Sequence, residues 1–387
     1  MANPEIRVVM ALKVRDEEDV IEDVLRYHHA QGVDFFVVTD NGSKDRTLEI
    51  LGRWADAGLL RVIQEPSPKL RDRGHEWVTR MARVAATEHG ADWVVHGDAD
   101  EFWWPLRGTV KDALAAVPAE YGVVLGPRAE FVARPDGEGG YLDRLVYREA
   151  RSLIRPKIAH RALPDVMVLH RGQHDVTAGA DDEDAWQRLR TPGRPVLRSV
   201  RPAGPGEAEE RLVPYPGSPL RIFHLPLRSF AQYRGKVEAM LNDPVSGDAG
   251  MRGRLAAARD EGRLEDLYAE LTSDDAAIER GVAEGRLVRD ERLRDFMRAC
   301  PDPLAGGGPR PSVPEPSAEE LEEETRQLEL DAAHVLARTS RMLQIRHDRA
   351  REQVRKLAKQ VERLKAKAAR PVRQMSLASR LRKRLGA

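Results

Sequence analysis

An α/β fold with a mostly parallel, doubly wound sheet is predicted for the first half of the chain by three observations. Short apolar runs alternate with helical patterns through the first 130 residues at intervals of roughly 25 to 35 residues, the layout of successive βαβ units. Gly32, Gly58 and Gly90 stand where each of the first three helices has to stop, a position that favours a residue tolerant of positive φ. The chain also has 387 residues, 41% of them hydrophobic, enough for one large domain or two to three smaller ones.

The predicted strands are the apolar runs Ile6 to Val14, Asp34 to Thr39, Leu59 to Gln64, Asp92 to His96 and Tyr121 to Leu125. Between them lie helices at about Glu18 to Gln31, Thr47 to Ala57, His75 to Glu88 and Thr109 to Val117. From Glu130 to about Phe230 the pattern loosens, with short strand candidates at Leu145 to Leu153, Val166 to His170 and Leu220 to Phe223. The polar stretch Thr177 to Pro219 has the length of a functional lid or an inserted loop.

Residues 237–299 read as a charged helical extension and residues 300–317, with six prolines and three glycines among them, as a linker. Over 318–370, Leu321, Leu328, Val335 and Met342 recur every seven residues, followed by Leu336, Leu343, Ala350, Leu357 and Leu364. Two interleaved heptad seams predict a coiled coil and hence a homo-oligomer. Pro371 ends it, and residues 371–387 form a basic tail with Leu377, Leu381 and Leu385 as an apolar stripe.

The balance of 63 Lys+Arg against 63 Asp+Glu hides an asymmetry: residues 318–332 carry net −6 and residues 342–387 net +12. Such a basic arm predicts peripheral contact with an anionic membrane surface. A nucleic-acid partner is not expected, since aromatic interleaving and a binding module are both missing. No apolar run approaches the roughly 18 residues that span a bilayer, and Met1 to Met10 lacks a signal-peptide profile, so a cytoplasmic protein is expected. One cysteine, Cys300, forms no intramolecular disulfide and supplies no cysteine-based metal site.

In an open doubly wound sheet, ligands bind beyond the carboxyl ends of the strands. After the first strand comes Lys13 to Asp19 with no glycine, which disfavours both a dinucleotide fingerprint and a P-loop; Arg15 there either faces a phosphate or pairs with the acids that follow it. After the second strand, Asp40 is placed to accept from a base or ribose donor, while Asn41-Gly42 makes a tight turn and Ser43 or Asp45 caps the next helix. After the fourth strand comes His96-Gly97-Asp98-Ala99-Asp100-Glu101-Phe102-Trp103-Trp104. Extended residues two apart point to one side, so Asp98 and Asp100 are expected to converge on a single cation. Hard oxygen ligands suit Mg2+ or Mn2+.

Four ordered segments carry a resemblance: Val14 to Asp19 (VRDEED), Tyr27 to Gly32 (YHHAQG), Val37 to Thr47 (VVTDNGSKDRT) and Ala91 to Phe102 (ADWVVHGDADEF). Together they resemble the family 2 glycosyltransferases of GT-A fold, in the branch whose metal motif runs on as D-x-D-E-F, over Ile6 to about Lys236. The resemblance implies transfer of a sugar from a nucleoside diphosphate sugar, a UDP-sugar favoured, to a glycan or lipid-linked acceptor. It implies that Asp40 and Asn41 border the nucleobase, that Arg15 borders the nucleotide, and that Asp98 and Asp100 hold Mn2+ or Mg2+ against the diphosphate. Asp40-Asn41 replaces the commoner pair of acids, a departure that bears on the donor base. His224 is the favoured late metal or phosphate ligand and His174 the second; Arg73, with Arg71 and His75 between the third strand and its helix, either borders the diphosphate or is simply solvated. For the general base, Glu101, Asp175 and Glu130 are all available. Trp103 and Trp104 serve either as a sugar platform or as core.

Two other functions fit parts of the sequence. A haloacid dehalogenase-type phosphohydrolase also carries D-x-D at a strand end, though normally at the first strand, whereas three strands precede Asp98 here. A non-catalytic coiled-coil assembly protein with a vestigial GT-A domain is the other, and retention of both Asp98 and Asp100 argues against it.

Overall fold

The computed structural model describes residues 6–65, 70–151, 154–168, 176–177, 212–242 and 249–306, together with part of 308–330. These residues belong to one unit spanning 1–186 and 196–336. Its centre is a six-stranded sheet in the order β3-β2-β1-β4-β9-β6. Strands β1 (Val8–Val14), β2 (Phe35–Asp40), β3 (Leu60–Gln64) and β4 (Trp93–Asp98) run parallel, joined by helices α1 (Ile21–Ala30), α2 (Thr47–Asp56) and α3 (Leu70–Glu88). The α/β prediction holds, and Gly32, Gly58 and Gly90 all adopt positive φ.

Alternation along β1 explains why its sequence is apolar throughout. Val8, Met10 and Leu12 face α1 and α2, packing with Val24, Leu25, Ile50 and Trp54, whereas Val9 and Ala11 face α3, packing with Val78, Met81 and Ala85. Helices thus cover both faces of the sheet. Each fully buried aliphatic side chain of this kind contributes about 1.5 to 3 kcal/mol.

Past β4 the chain departs from the simple βαβ plan. β5 (Glu101–Pro105), a strand not among those predicted, follows after a two-residue turn. After α4 (Val110–Ala115), β6 (Val123–Gly126), β7 (Arg128–Glu130), α5 (Tyr141–Arg144) and β8 (Tyr147–Glu149) comes β9 (Lys157–Arg161), which joins the central sheet antiparallel to both β4 and β6. β10 (Met167–Val168) and β11 (Val176–Thr177) form a short pair, and β12 (Leu220–His224) sits between β5 and β7 in a second sheet. Its register sets His224 beside Glu101 on one side and Glu130 on the other.

Two side chains of α1 tie this second sheet down. The Trp103 carbonyl on edge strand β5 accepts from the Tyr27 hydroxyl (2.9 Å), and its N–H donates to His28 Nε2 (3.1 Å). Backbone groups of a buried edge need such partners. The YHH segment therefore has a structural reason to exist.

The predicted boundary at residue 236 falls inside a helix, Phe230–Asn242, so no break separates the α/β part from the extension. Further helices cover Ala249–Asp260, Leu264–Leu271, Asp275–Ala283 and Arg292–Ala299, and β13 (Leu287–Arg289) pairs with β8. Leu293, Phe296 and Met297 enter the main core. Of the predicted coiled coil, residues 318–328 are helical, opened by a Ser317–Glu320 capping pair. Leu328 is buried, and Glu324 pairs with Arg221 and Arg292. The start of the heptad seam thus packs on its own domain. The later heptads, the tail and residues 178–211 lie outside the described residues. No helix among those described is long and apolar enough to cross a membrane.

Candidate functional site

The carboxyl ends of β1, β2 and β4 bring together the first, third and fourth resemblance segments. The β1–α1 and β2–α2 loops are cross-bonded: the Asp16 N–H donates to Ser43 Oγ, the Lys44 N–H to Asp16 Oδ1, and the Glu17 N–H to Thr47 Oγ1, at 2.7 to 3.0 Å. Asp16 takes φ +53°, a left-handed conformation that these bonds sustain. Asp40, buried at the end of β2, accepts from the Gly42 and Ser43 amides (3.0 and 3.2 Å) and from the Ser43 hydroxyl. In this state its carboxylate shapes the turn. Asn41 Nδ2 donates to the Glu65 carbonyl (2.9 Å), and Arg15 lies 3.7 Å from Asp16. Arg15, Asp16 and Lys44 line a cleft of about 400 Å3 whose other wall is the helix Phe230–Asn242.

The two carboxylates of the D-x-D do not converge as the extended-strand argument predicts. β4 runs on to Asp98, while Asp100 sits in the turn before β5, and each meets its own set of cations. Asp98 lies 3.2 Å from Lys13, its register neighbour on β1, and 2.6 Å from Lys157 on β9. Burial favours its neutral form, but Lys13 and Lys157 outweigh that and hold it well below the usual carboxylate range. Asp100 lies 3.5 Å from His224, 3.2 Å from Lys236 and 3.7 Å from Arg228; there too the cations overcome burial and lower the pKa. His224 Nδ1 is 2.6 Å from Glu130. Burial would lower the His224 pKa, yet Asp100 and Glu130 together raise it to about 10.

Glu101 is fully buried, and its placement changes its role. One oxygen meets Arg128 (3.0 Å); the other meets Lys157 (3.2 Å) and accepts the Asp98 N–H (3.0 Å). A carboxylate sealed in this way positions the β4–β5 turn and is not exposed to an acceptor, which corrects the expectation of a base at Glu101. Trp103 and Trp104 are equally buried, packed in the core with no face open to a sugar. Arg71, Arg73 and His75 fall within α3, which starts earlier than expected, and their side chains lie outside the described residues. His174 and Asp175 lie outside them as well.

The residues that sequence reasoning missed are the cations and one acid. Lys13, Lys157, Arg128, Arg228 and Lys236 alternate with Asp98, Glu101, Glu130, Asp100 and Glu17 in one charge-balanced network. Arg228 is fixed by Asp19 (2.8 Å) and Glu17 (2.7 Å). Burial raises Glu17 to about 7, with Lys236 pulling the other way. These partners come from distant positions, and only the fold reveals them.

Asp100 and His224 suit a divalent cation in chemistry. Two ligand atoms of one octahedral Mg2+-type ion stand roughly 3 Å apart, close to the 3.5 Å seen, and Glu130 on the other ring nitrogen orients the imidazole as metal-binding histidines require. Among the described residues no three His, Cys, Asp or Glu side chains form a ready cage. Any ion held here needs further oxygens from a ligand or water.

The sheet order and the D-x-D at the ligand edge are the layout expected of the GT-A class that the sequence resembles. No protein-family model matches the chain, and no curated protein matches it at a significant level. Solved structures do match. S. aureus TarS residues 1–349 is 14% identical at a TM-score of 0.32, covering 65% of this chain and 69% of that one. The same protein in complex with UDP-GlcNAc is 14% identical at 0.29, covering 65% and 70%. Glucosyl-3-phosphoglycerate synthase from Mycobacterium tuberculosis, in complex with Mn2+, UDP-glucose and phosphoglyceric acid, is 22% identical at 0.23, covering 36% and 48%. With identities this low and TM-scores below 0.5, the chemistry has to be read from this chain's own side chains.

Proposed function

We propose that the protein is a glycosyltransferase that moves a sugar from a nucleoside diphosphate sugar to an acceptor hydroxyl, with a UDP-sugar the donor to try first. The observation that carries this reading is Asp100 at the β4–β5 turn, set against His224 and a ring of cations at the carboxyl edge of the sheet. Breaking the glycosidic bond leaves negative charge on a diphosphate, and fixed positive charge at that point lowers the barrier. Asp100 and His224, with Asp98 beside them, would hold Mn2+ or Mg2+, which when bound supplies Lewis-acid stabilisation of the leaving diphosphate. Lys13 and Lys157 keep Asp98 ionised and fixed in place. Asp40 and Asn41 border the nucleobase and Arg15 the nucleotide, with Arg73 a candidate neighbour of the diphosphate. Glu101 is buried away from an acceptor, which leaves Glu130 and Asp175 as the carboxylates to receive the acceptor proton.

The acceptor is proposed to be a glycan or lipid-linked glycan of the cell surface, with the basic tail bringing a cytoplasmic enzyme to an anionic membrane and the later heptads joining copies of the chain. Sugar release or transfer from UDP-hexoses by the wild type, and by Asp98→Asn and Asp100→Asn, tests the enzymatic reading. Folded variants that have lost turnover support it; two variants that turn over normally refute it.

A further inference from the structure

The cations around the D-x-D differ in what they are free to do. Lys157 is 1% exposed, wedged between Asp98 and Glu101. Arg228 is equally buried, with Nε and Nη2 on Asp19, Nη2 also on Glu17, and Nη1 donating to the Leu225 carbonyl at 3.1 Å. Turning either away would strand buried carboxylates. Lys236 is different. It is 39% exposed, stands on the helix Phe230–Asn242, and touches Asp100 at 3.2 Å and Glu17 at 3.8 Å through a flexible four-carbon stem.

The same helix walls the cleft bordered by Arg15 and Lys44, through Gln232, Gly235 and Ala239. Lys236 therefore stands on the wall between that cleft and the D-x-D, where the phosphates of a nucleotide seated in the cleft would pass.

We propose that Lys236 is the residue that grips the donor diphosphate, exchanging its contact with Asp100 for a phosphate oxygen when the nucleotide binds. This rests on the nucleotide-sugar reading above. The exchange is one of ion partners only: the ammonium leaves Asp100 Oδ2, which becomes free to face a divalent cation, and gains the phosphate. Charge stays balanced, because the incoming diphosphate brings the anion that Lys236 follows. Lys236 thus touches substrate, whereas Arg228 and Lys157 act by positioning Glu17, Asp19, Asp98 and Glu101.

Calorimetric titration of UDP and ligand-observed titration of uridine, each with Mn2+, into wild type, Lys236→Met and Lys236→Arg tests this. The Met variant should lose about tenfold to a hundredfold in UDP affinity, the scale of one charge-assisted hydrogen bond, keep its uridine affinity, and melt close to wild type. The Arg variant should recover much of the loss. UDP binding unchanged in Lys236→Met, with wild type binding well, overturns the role of Lys236 alone. A lowered melting temperature with unchanged UDP affinity assigns the lysine a structural role and also overturns it. Failure of wild type to bind any nucleoside diphosphate removes both this assignment and the transferase reading.

Discussion

Replacing Lys157 by Met keeps the buried stem and deletes only the ammonium. Two contacts go with it, at 2.6 Å to Asp98 and 3.2 Å to Glu101, from a side chain that is 1% exposed. Removing one partner from a buried ion pair costs about 3 to 5 kcal/mol, most of it from the stranded charge. Here the lower end applies, because Glu101 keeps Arg128 at 3.0 Å and the Asp98 amide, and Asp98 keeps Lys13. With a urea slope of about 3 kcal/mol per molar, a loss of about 3 kcal/mol moves the midpoint by about 1 M. Tryptophan fluorescence follows the transition, since Trp93, Trp103 and Trp104 are buried around the site. Adding Glu101→Gln should restore about 1 to 3 kcal/mol, because it removes the carboxylate left short of a partner. A cost below about 1 kcal/mol for Lys157→Met, or strict additivity in the double variant, would refute the claim that this network is held by mutual charge compensation.

Glu324→Ala should loosen residues 318–328 on the domain by removing the carboxylate that Arg221 and Arg292 share, at about 1 to 3 kcal/mol, read as faster amide exchange in that helix; unchanged exchange counts against docking through Glu324. Stability should also fall on acidification through His28, whose pKa is lowered from 6.5 to about 4 by full burial, against the pull of its Val24 carbonyl bond. The unfolded chain then binds the proton first, so this stabilisation is fully present above pH 6.5 and is lost as pH falls toward 4, worth about 3 kcal/mol. Urea midpoints between pH 7 and pH 4 measure it, and His28→Gln should reduce the slope without abolishing it, because His96 and His160 are also buried with lowered pKa values.

The parallel strands were legible because helices cover both faces of the sheet, which forces β1, β2 and β4 to be apolar almost throughout. β9 was not legible. Its five residues include Lys157, His160 and Arg161, polar because they serve Asp98, His96 and the carbonyls of Tyr121 and Val117, so no apolar run marks it. The start of α3 was missed for a similar reason, since Arg71 to Gly74 reads as a polar turn. Asp98, Asp100 and His224 could be singled out as candidates because a strand-end motif is local. Their partners Lys157, Arg228 and Lys236 lie 59 to 136 residues away in pairing distance, and no local pattern announces such contacts. The D-x-D itself misled in one respect: strict alternation aims both carboxylates at one point, but the chain turns after Asp98, and the two separate.

The most direct test of the central claim is calorimetric binding of UDP and GDP, with and without Mn2+, to wild type and to Asp100→Asn. The account predicts that one nucleoside diphosphate binds more tightly with the metal and that this gain is lost in the variant. Binding of neither nucleotide under either condition, or an equal gain from Mn2+ in Asp100→Asn, would contradict it.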